Sequence, residues 1–88
     1  MNIYKITTTE GWGYDSYDSA IVVAKSKAEA ASMHPYTGKK IDWKKAATKD
    51  GYSSDWATKK ENVDVGYIGK ASKDFKTAAV LCASFNAG

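Results

Sequence analysis

Cys82 and His34 are the only thiol and the only imidazole in this chain. A thiolate beside an imidazole could serve as a nucleophile, provided the thiol is exposed and a third group orients the base. No such third group is fixed by spacing. Cys82 sits among apolar neighbours in AVLCASF, so it is expected to be buried and to behave as a small hydrophobe. His34 precedes Pro35 and is expected to close a helix, where partial positive charge is favourable. A single histidine cannot make a histidine-based metal site. Asp15 and Asp18 have no third carboxylate at EF-hand spacing, so no metal is expected there. The remaining carboxylates are scattered, and no phosphate-binding loop is present. These residues point away from catalysis: the chain is expected not to be an enzyme and to use no cofactor.

Binding chemistry is better represented. The loop from Gly11 to Tyr17 carries Trp12, Tyr14 and Tyr17 between glycines and aspartates. Aromatic rings on such a loop bring large contact area at low side-chain entropy, which suits partner-binding anchors. The competing use of Trp12 is to fold back and cap the sheet edge. A second region, Tyr36 to Lys60, holds seven lysines (Lys39, Lys40, Lys44, Lys45, Lys49, Lys59 and Lys60) and three aspartates. Its net charge of +4 contrasts with −1 for the rest of the chain. Trp43, Tyr52 and Trp56 are interleaved with these lysines. Basic residues with stacking rings suit single-stranded nucleic acid, and they suit an acidic protein surface equally well. The bland alternative is a solvated lysine face with Trp43 and Trp56 buried as core plugs, and that use of the two indoles is favoured. All thirteen basic residues are lysines. Without the planar fork of arginine, sequence-specific reading of bases is disfavoured, and weak non-specific attraction to phosphate is what remains.

Several elements must position these residues. NIYKITT, Asn2 to Thr8, is rich in β-branched and aromatic types and reads as a strand. Asp18 to Ala24 reads as a second strand, apolar on both faces and therefore inside the sheet. The two are expected to form a hairpin. Ser26-Lys27-Ala28-Glu29 is a capping box, in which Ser26 takes the Glu29 N–H and Glu29 reaches back to the Ser26 N–H. A helix is expected from Lys27 to Met33, with Ala28, Ala31 and Met33 toward the sheet and Pro35 as its stop. Two short helical pieces are expected at Ile41 to Lys49 and Asp55 to Asn62. Val63 to Ile68 alternates as a half-buried strand with Val63, Val65 and Tyr67 on one face. Ala79 to Phe85 is the fourth strand, expected to pair with the third as a second hairpin across a polar connection around Phe75. The fold class is α+β: an antiparallel sheet of about four strands, one short helix across it, and an irregular insertion rich in lysine and tryptophan.

The whole is one domain of 88 residues, and its 43% apolar share is ordinary for a globular chain. One cysteine allows no internal disulfide. The first ten residues lack the apolar core of a signal peptide, and the longest apolar run, Ala20 to Ala24, is far too short to span a bilayer. A cytoplasmic setting without membrane contact is expected. The oligomeric state stays open, since an exposed edge strand would allow dimerisation.

YDSAIVVA, the pair His34–Pro35, Trp43, YIGKA from Tyr67 to Ala71 and VLCASFNAG from Val80 to Gly88 together resemble a family of small phage- and prophage-encoded proteins with no assigned activity. The resemblance covers both ends and the helix but not the lysine-rich middle. It implies synthesis inside a bacterial host and action by binding a host or phage protein. Anti-CRISPR proteins, similar in size and in strand–strand–helix arrangement, offer an analogy. The leading expectation is a non-enzymatic protein-binding module, with Trp12, Tyr14 and Tyr17 as anchors and Lys44, Lys45, Lys59 and Lys60 as a charged rim. A nucleic-acid-binding module built on residues 39–60 is the alternative.

Overall fold

The structure, a computed structural model, describes residues 1–10, 16–46, 56–57 and 59–86. Four strands form one antiparallel sheet: β1 (Asn2–Thr8), β2 (Ser16–Ala24), β3 (Val63–Lys70) and β4 (Ala79–Asn86). A short helix, α1 (Lys27–Ala31), lies across one face. A single helical turn, α2 (Trp43–Ala46), and a 3-10 turn (Lys60–Asn62) follow in the connection to β3. The chain is an α+β protein.

The strand order is β3-β1-β2-β4. β1 and β2 pair as the expected hairpin, with Asn2 opposite Ala24 and Thr7 opposite Ser19. The expected pairing of β3 with β4 is overturned, because the two lie on opposite edges of the sheet. The reason lies in what each strand must bury. β3 runs antiparallel to β1 and puts Val63, Val65 and Tyr67 opposite Thr8, Ile6 and Tyr4. Its other face carries Asp64, Gly66 and Gly69, with Ile68 exposed at the bulge. β4 instead pairs with β2, where Val80 and Ala83 extend the apolar row begun by Val22 and Ala20. Eight residues, 71–78, carry the chain from one edge to the other.

β2 is therefore internal, as its two apolar faces require. Ala20, Val22 and Ala24 enter the core beneath α1, and Val23 on the reverse face is also fully buried. The capping box forms with one change. Ser26 Oγ accepts the Glu29 N–H at 3.2 Å, but Glu29 Oε1 accepts the Lys25 N–H at 2.7 Å rather than that of Ser26. The helix stops at Ala31, two residues before the expected Met33. The backbone then turns into a small hairpin: Met33 bridges Lys40, the Ile41 N–H donates to Ser32 O at 2.7 Å, and the His34 N–H donates to Lys39 O at 2.9 Å. This rotates the buried side of α1. Ala30 is fully buried and Ala31 half-buried, while Ala28, expected against the sheet, is exposed. Met33 still enters the core, from outside the helix. His34 therefore does not close the helix.

Trp56 is the largest wholly buried side chain, at 1% exposure, and Ala57 is buried beside it in the same cluster. The expectation of Trp56 as a core plug holds, although it sits in a bend rather than in the short helix expected from Asp55 to Asn62, of which the Lys60–Asn62 turn forms. Of Ile41 to Lys49, the turn Trp43–Ala46 is helical, and 47–49 lie outside the described residues. Asn62 ties the start of β3 to the end of β1: its carbonyl accepts the Thr9 N–H at 2.9 Å, and its Nδ2 donates to Glu10 Oε2 at 3.1 Å.

The Trp56 Nε1 is buried with no hydrogen-bond partner among the described residues. Among the described residues the ring stabilises through packing alone. Trp56→Ala is expected to cost about 3–5 kcal/mol, and Trp56→Phe distinctly less, because no indole hydrogen bond is lost. Ser26→Ala should cost about 0.5–2 kcal/mol through the cap. Urea unfolding curves for the three variants check the order.

Candidate functional site

Where β2 and β4 run together, the chain assembles a small aromatic surface. Tyr17 is half-buried against the core and pairs in register with Phe85. Its ring stacks on Tyr36, with centroids 6.0 Å apart and planes at 28°, and meets His34 edge-on at 6.1 Å. Offset and edge-to-face geometries of this kind are the favourable ones for π-systems.

The turn that carries Tyr36 is stiff for identifiable reasons. Pro35 is wholly buried and pins its base. His34 Nδ1 accepts the backbone N–H groups of Tyr36 at 3.1 Å and Thr37 at 3.3 Å. The Gly38 N–H donates to His34 O at 2.9 Å, closing the turn. Gly38 has φ +72°, a left-handed conformation that glycine adopts without steric cost. Thr37 Oγ1 accepts the Lys39 N–H at 3.2 Å. Tyr36 is thereby held out at 70% exposure, the most exposed large apolar side chain described. Beside it runs a shallow cleft of about 410 Å³ lined by Tyr17, Pro35, Tyr36, Leu81, Cys82 and Ala83.

Cys82 is exposed, contrary to the expectation of burial. β4 is an edge strand, and the register places Cys82 opposite Ile21, on the face away from α1. A Cys82–His34 nucleophile pair gains little from that exposure. His34 Nδ1 is engaged by two backbone donors, so it is not poised as a base from that nitrogen. Among the described residues no group of three or more His, Cys, Asp or Glu side chains could hold a metal ion, and no helix is long and apolar enough to cross a membrane.

The other expected contact residues fall in different places. Trp12 and Tyr14 lie outside the described residues, as does the side chain of Lys45. Lys44, on α2, and Lys59 and Lys60, before β3, are exposed. Lys60 shares a cleft of about 380 Å³ with Lys40, Glu29 and Ser32, and a wider one with Lys27 and Val63. Tyr17 and Lys60 therefore line separate clefts. Trp43 is half-buried, and its Nε1 donates to Ser32 Oγ at 3.2 Å, so this indole braces the end of α1. Tyr36 was missed by sequence reasoning. Its signal was local: a large ring between Pro35 and Gly38 falls at the tip of a tight turn.

Comparison with known proteins found no matching family model, no matching curated protein and no matching solved structure.

Gly38→Ala is expected to cost about 1–2 kcal/mol, because an L-residue is strained at this φ. The space around it is not the cause, since the added Cβ would meet Val80 Cγ2 at an ordinary 3.5 Å. Gly38→Asn, which tolerates the left-handed region, should recover much of the loss in thermal unfolding.

Proposed function

We propose that this chain is a non-enzymatic protein-binding module that acts by covering a partner's surface with the Tyr17–Tyr36 face. The observation that carries this reading is Tyr36, 70% exposed on a turn made rigid by His34, Pro35 and Gly38. A solvent-exposed ring ordered before binding loses little entropy on contact, which is the property of an interface anchor. Leu81 at 44% exposure widens the apolar patch along β4. Exposed lysines at 39, 40, 44, 59 and 60 supply positive charge suited to an acidic partner. The resemblance to phage and prophage proteins gives the reading its specific form: an inhibitor made in the cytoplasm of a bacterial host, directed at a host defence nuclease.

A nucleic-acid module is less well supported. Its stacking platforms would be Trp43 and Trp56, and the fold uses one as a helix brace and the other as a core plug. What remains is lysine charge without arginine forks. Such binding would be weak and would fall steeply with salt.

Tyr36→Ala should lower stability by no more than about 1.5 kcal/mol, since the side chain is largely in solvent and only its stack on Tyr17 is lost. It should also weaken capture of a partner from bacterial lysate by at least about tenfold, as loss of an anchor does. Quantitative pull-down with parent and variant makes the comparison. Equal capture by both would remove the Tyr17–Tyr36 face from the function. A gel shift that persists at physiological salt and is lost on Lys40→Glu with Lys60→Glu would favour nucleic acid instead.

A further inference from the structure

The cleft beside α1 holds polar groups that the fold leaves unspent. It has a volume of about 380 Å³, and Glu29, Ser32, Lys40 and Lys60 line it together with Ala28 and Met33. Ser32 is only 8% exposed, and its Oγ accepts the Trp43 Nε1–H at 3.2 Å. A hydroxyl that accepts one bond still has a proton to donate. Among the described residues nothing accepts it. The nearby backbone carbonyls of Glu29, Ala30 and Ser32 already take the N–H groups of Ser32, Met33 and Ile41. Glu29 spends Oε1 on the Lys25 N–H at 2.7 Å and has no described partner at Oε2. Neither Lys40 nor Lys60 forms an ion pair with Glu29 or with any other carboxylate among the described residues. Opposite charges thus line one cleft without pairing across it.

We propose that this cleft binds a small phosphate monoester whose carbon skeleton carries a hydroxyl. The phosphate sits toward Lys40, Lys60 and the Ser32 hydroxyl. Lysine binds phosphate as a point charge, and two ammonium groups with one hydroxyl donor suit the three terminal oxygens of a monoester. A planar carboxylate offers only two oxygens to the same three groups. Glu29 decides the rest of the ligand. A bare phosphate would be repelled by its carboxylate and gain nothing from it, whereas a ligand hydroxyl can donate to Oε2. The space that keeps Glu29 apart from the lysines is the space such a molecule fills. Ala28 and Met33 give the carbon skeleton an apolar wall, in the usual pattern of a small-molecule site with a few placed polar groups. This cleft and the one beside Tyr36 have no lining residue in common, so the site does not rest on the Tyr17–Tyr36 face.

The test titrates the full ¹⁵N-labelled chain with glycerol 3-phosphate, inorganic phosphate, glycerol and sodium chloride, at matched ionic strength, and follows backbone amide shifts. Glycerol 3-phosphate should give saturable shifts centred on Ser32, Met33, Lys40 and Lys60. Inorganic phosphate should bind the same amides at least about threefold more weakly, for want of the hydroxyl bond to Glu29. Glycerol and chloride should give no saturable change there. Lys40 and Lys60 are exposed, so Lys40→Gln with Lys60→Gln should fold, as far-UV circular dichroism would report. This pair should weaken glycerol 3-phosphate at least about tenfold, while Lys5→Gln with Lys70→Gln, which removes equal charge away from the cleft, should leave it unchanged. Shifts that never saturate, or that are equal at every lysine-bearing segment, overturn the proposal by reducing it to screening of the net charge. Unchanged binding in the Lys40/Lys60 variant overturns it as well. Inorganic phosphate binding as tightly as glycerol 3-phosphate overturns the assignment of an ester and of Glu29's part in it.

Discussion

The fold depends on how closely α1 can approach the sheet, where it meets β1, β2 and β3. A helix of five residues has little intrinsic stability and must gain it from packing. Here the approach is set by small side chains on both sides: Ala20 and Ala24 on β2, Ala30 on the helix, all essentially removed from solvent. Close approach brings Ser32 and Met33 down toward the sheet, and the chain then turns back on itself through the Lys39–Ile41 pairing. The larger groups fill what remains. Met33, Trp56 and Val63 sit in the same cluster as the alanines, and Tyr4 and Ile6 complete its floor from β1. A bulkier residue at position 30 would lift the helix and open a gap beneath every one of them.

Much of this was legible before the structure. Asn2–Thr8 is a strand over the residues its β-branched and aromatic types imply, and Ser26 caps the helix as its spacing with Glu29 implies. The alternation Val63-Val65-Tyr67 named the core side of β3 for Val63 and Val65, while Tyr67 is largely exposed and meets the core only through its edge contact with Tyr4. What stayed hidden was the partner of each strand. Alternation reports which face of a strand is buried and is silent on which edge it joins. β3 and β4 are separated by eight residues, a length that suits a hairpin and also suits a crossing from edge to edge. The deciding fact was that β2 still had an open side next to Ala20 and Val22, and that fact belongs to the sheet rather than to any segment. Cys82 was misplaced for the same reason. An apolar sequence on an edge strand leaves part of itself in water, whatever its neighbours in the chain.

The candidate site follows a similar division. Tyr17 was visible as an aromatic at the mouth of a strand. Its stacking partner was not, because Tyr36 becomes an anchor only through the conformation of Pro35–Gly38 and the bond pattern around His34. His34 illustrates how a residue with catalytic chemistry is diverted to a structural use. Its Nδ1 accepts two backbone donors that would otherwise be left in a tight turn, and its ring meets Tyr17 edge-on.

The lysine-rich segment bears on function differently from what its composition suggests. Interleaved tryptophans make such a segment look like a stacking groove for nucleic acid. In the fold, both indoles point their contribution inward: Trp56 fills the core and Trp43 hydrogen-bonds Ser32 at the end of α1. The described parts of the segment are therefore anchored by Trp43 and Trp56, and their lysines face solvent. Exposed lysine ammonium groups attract acidic surfaces at long range and contribute more to association rate than to affinity. Affinity must come from apolar contact, and the exposed large apolar side chains among the described residues lie elsewhere, at Tyr36, at Leu81 on β4 and at Tyr67 and Ile68 on β3. Charge that steers and apolar groups that hold are thus carried by different parts of the connection between β2 and β3 and by the two edge strands. A partner that engages both would need an acidic face beside an apolar one.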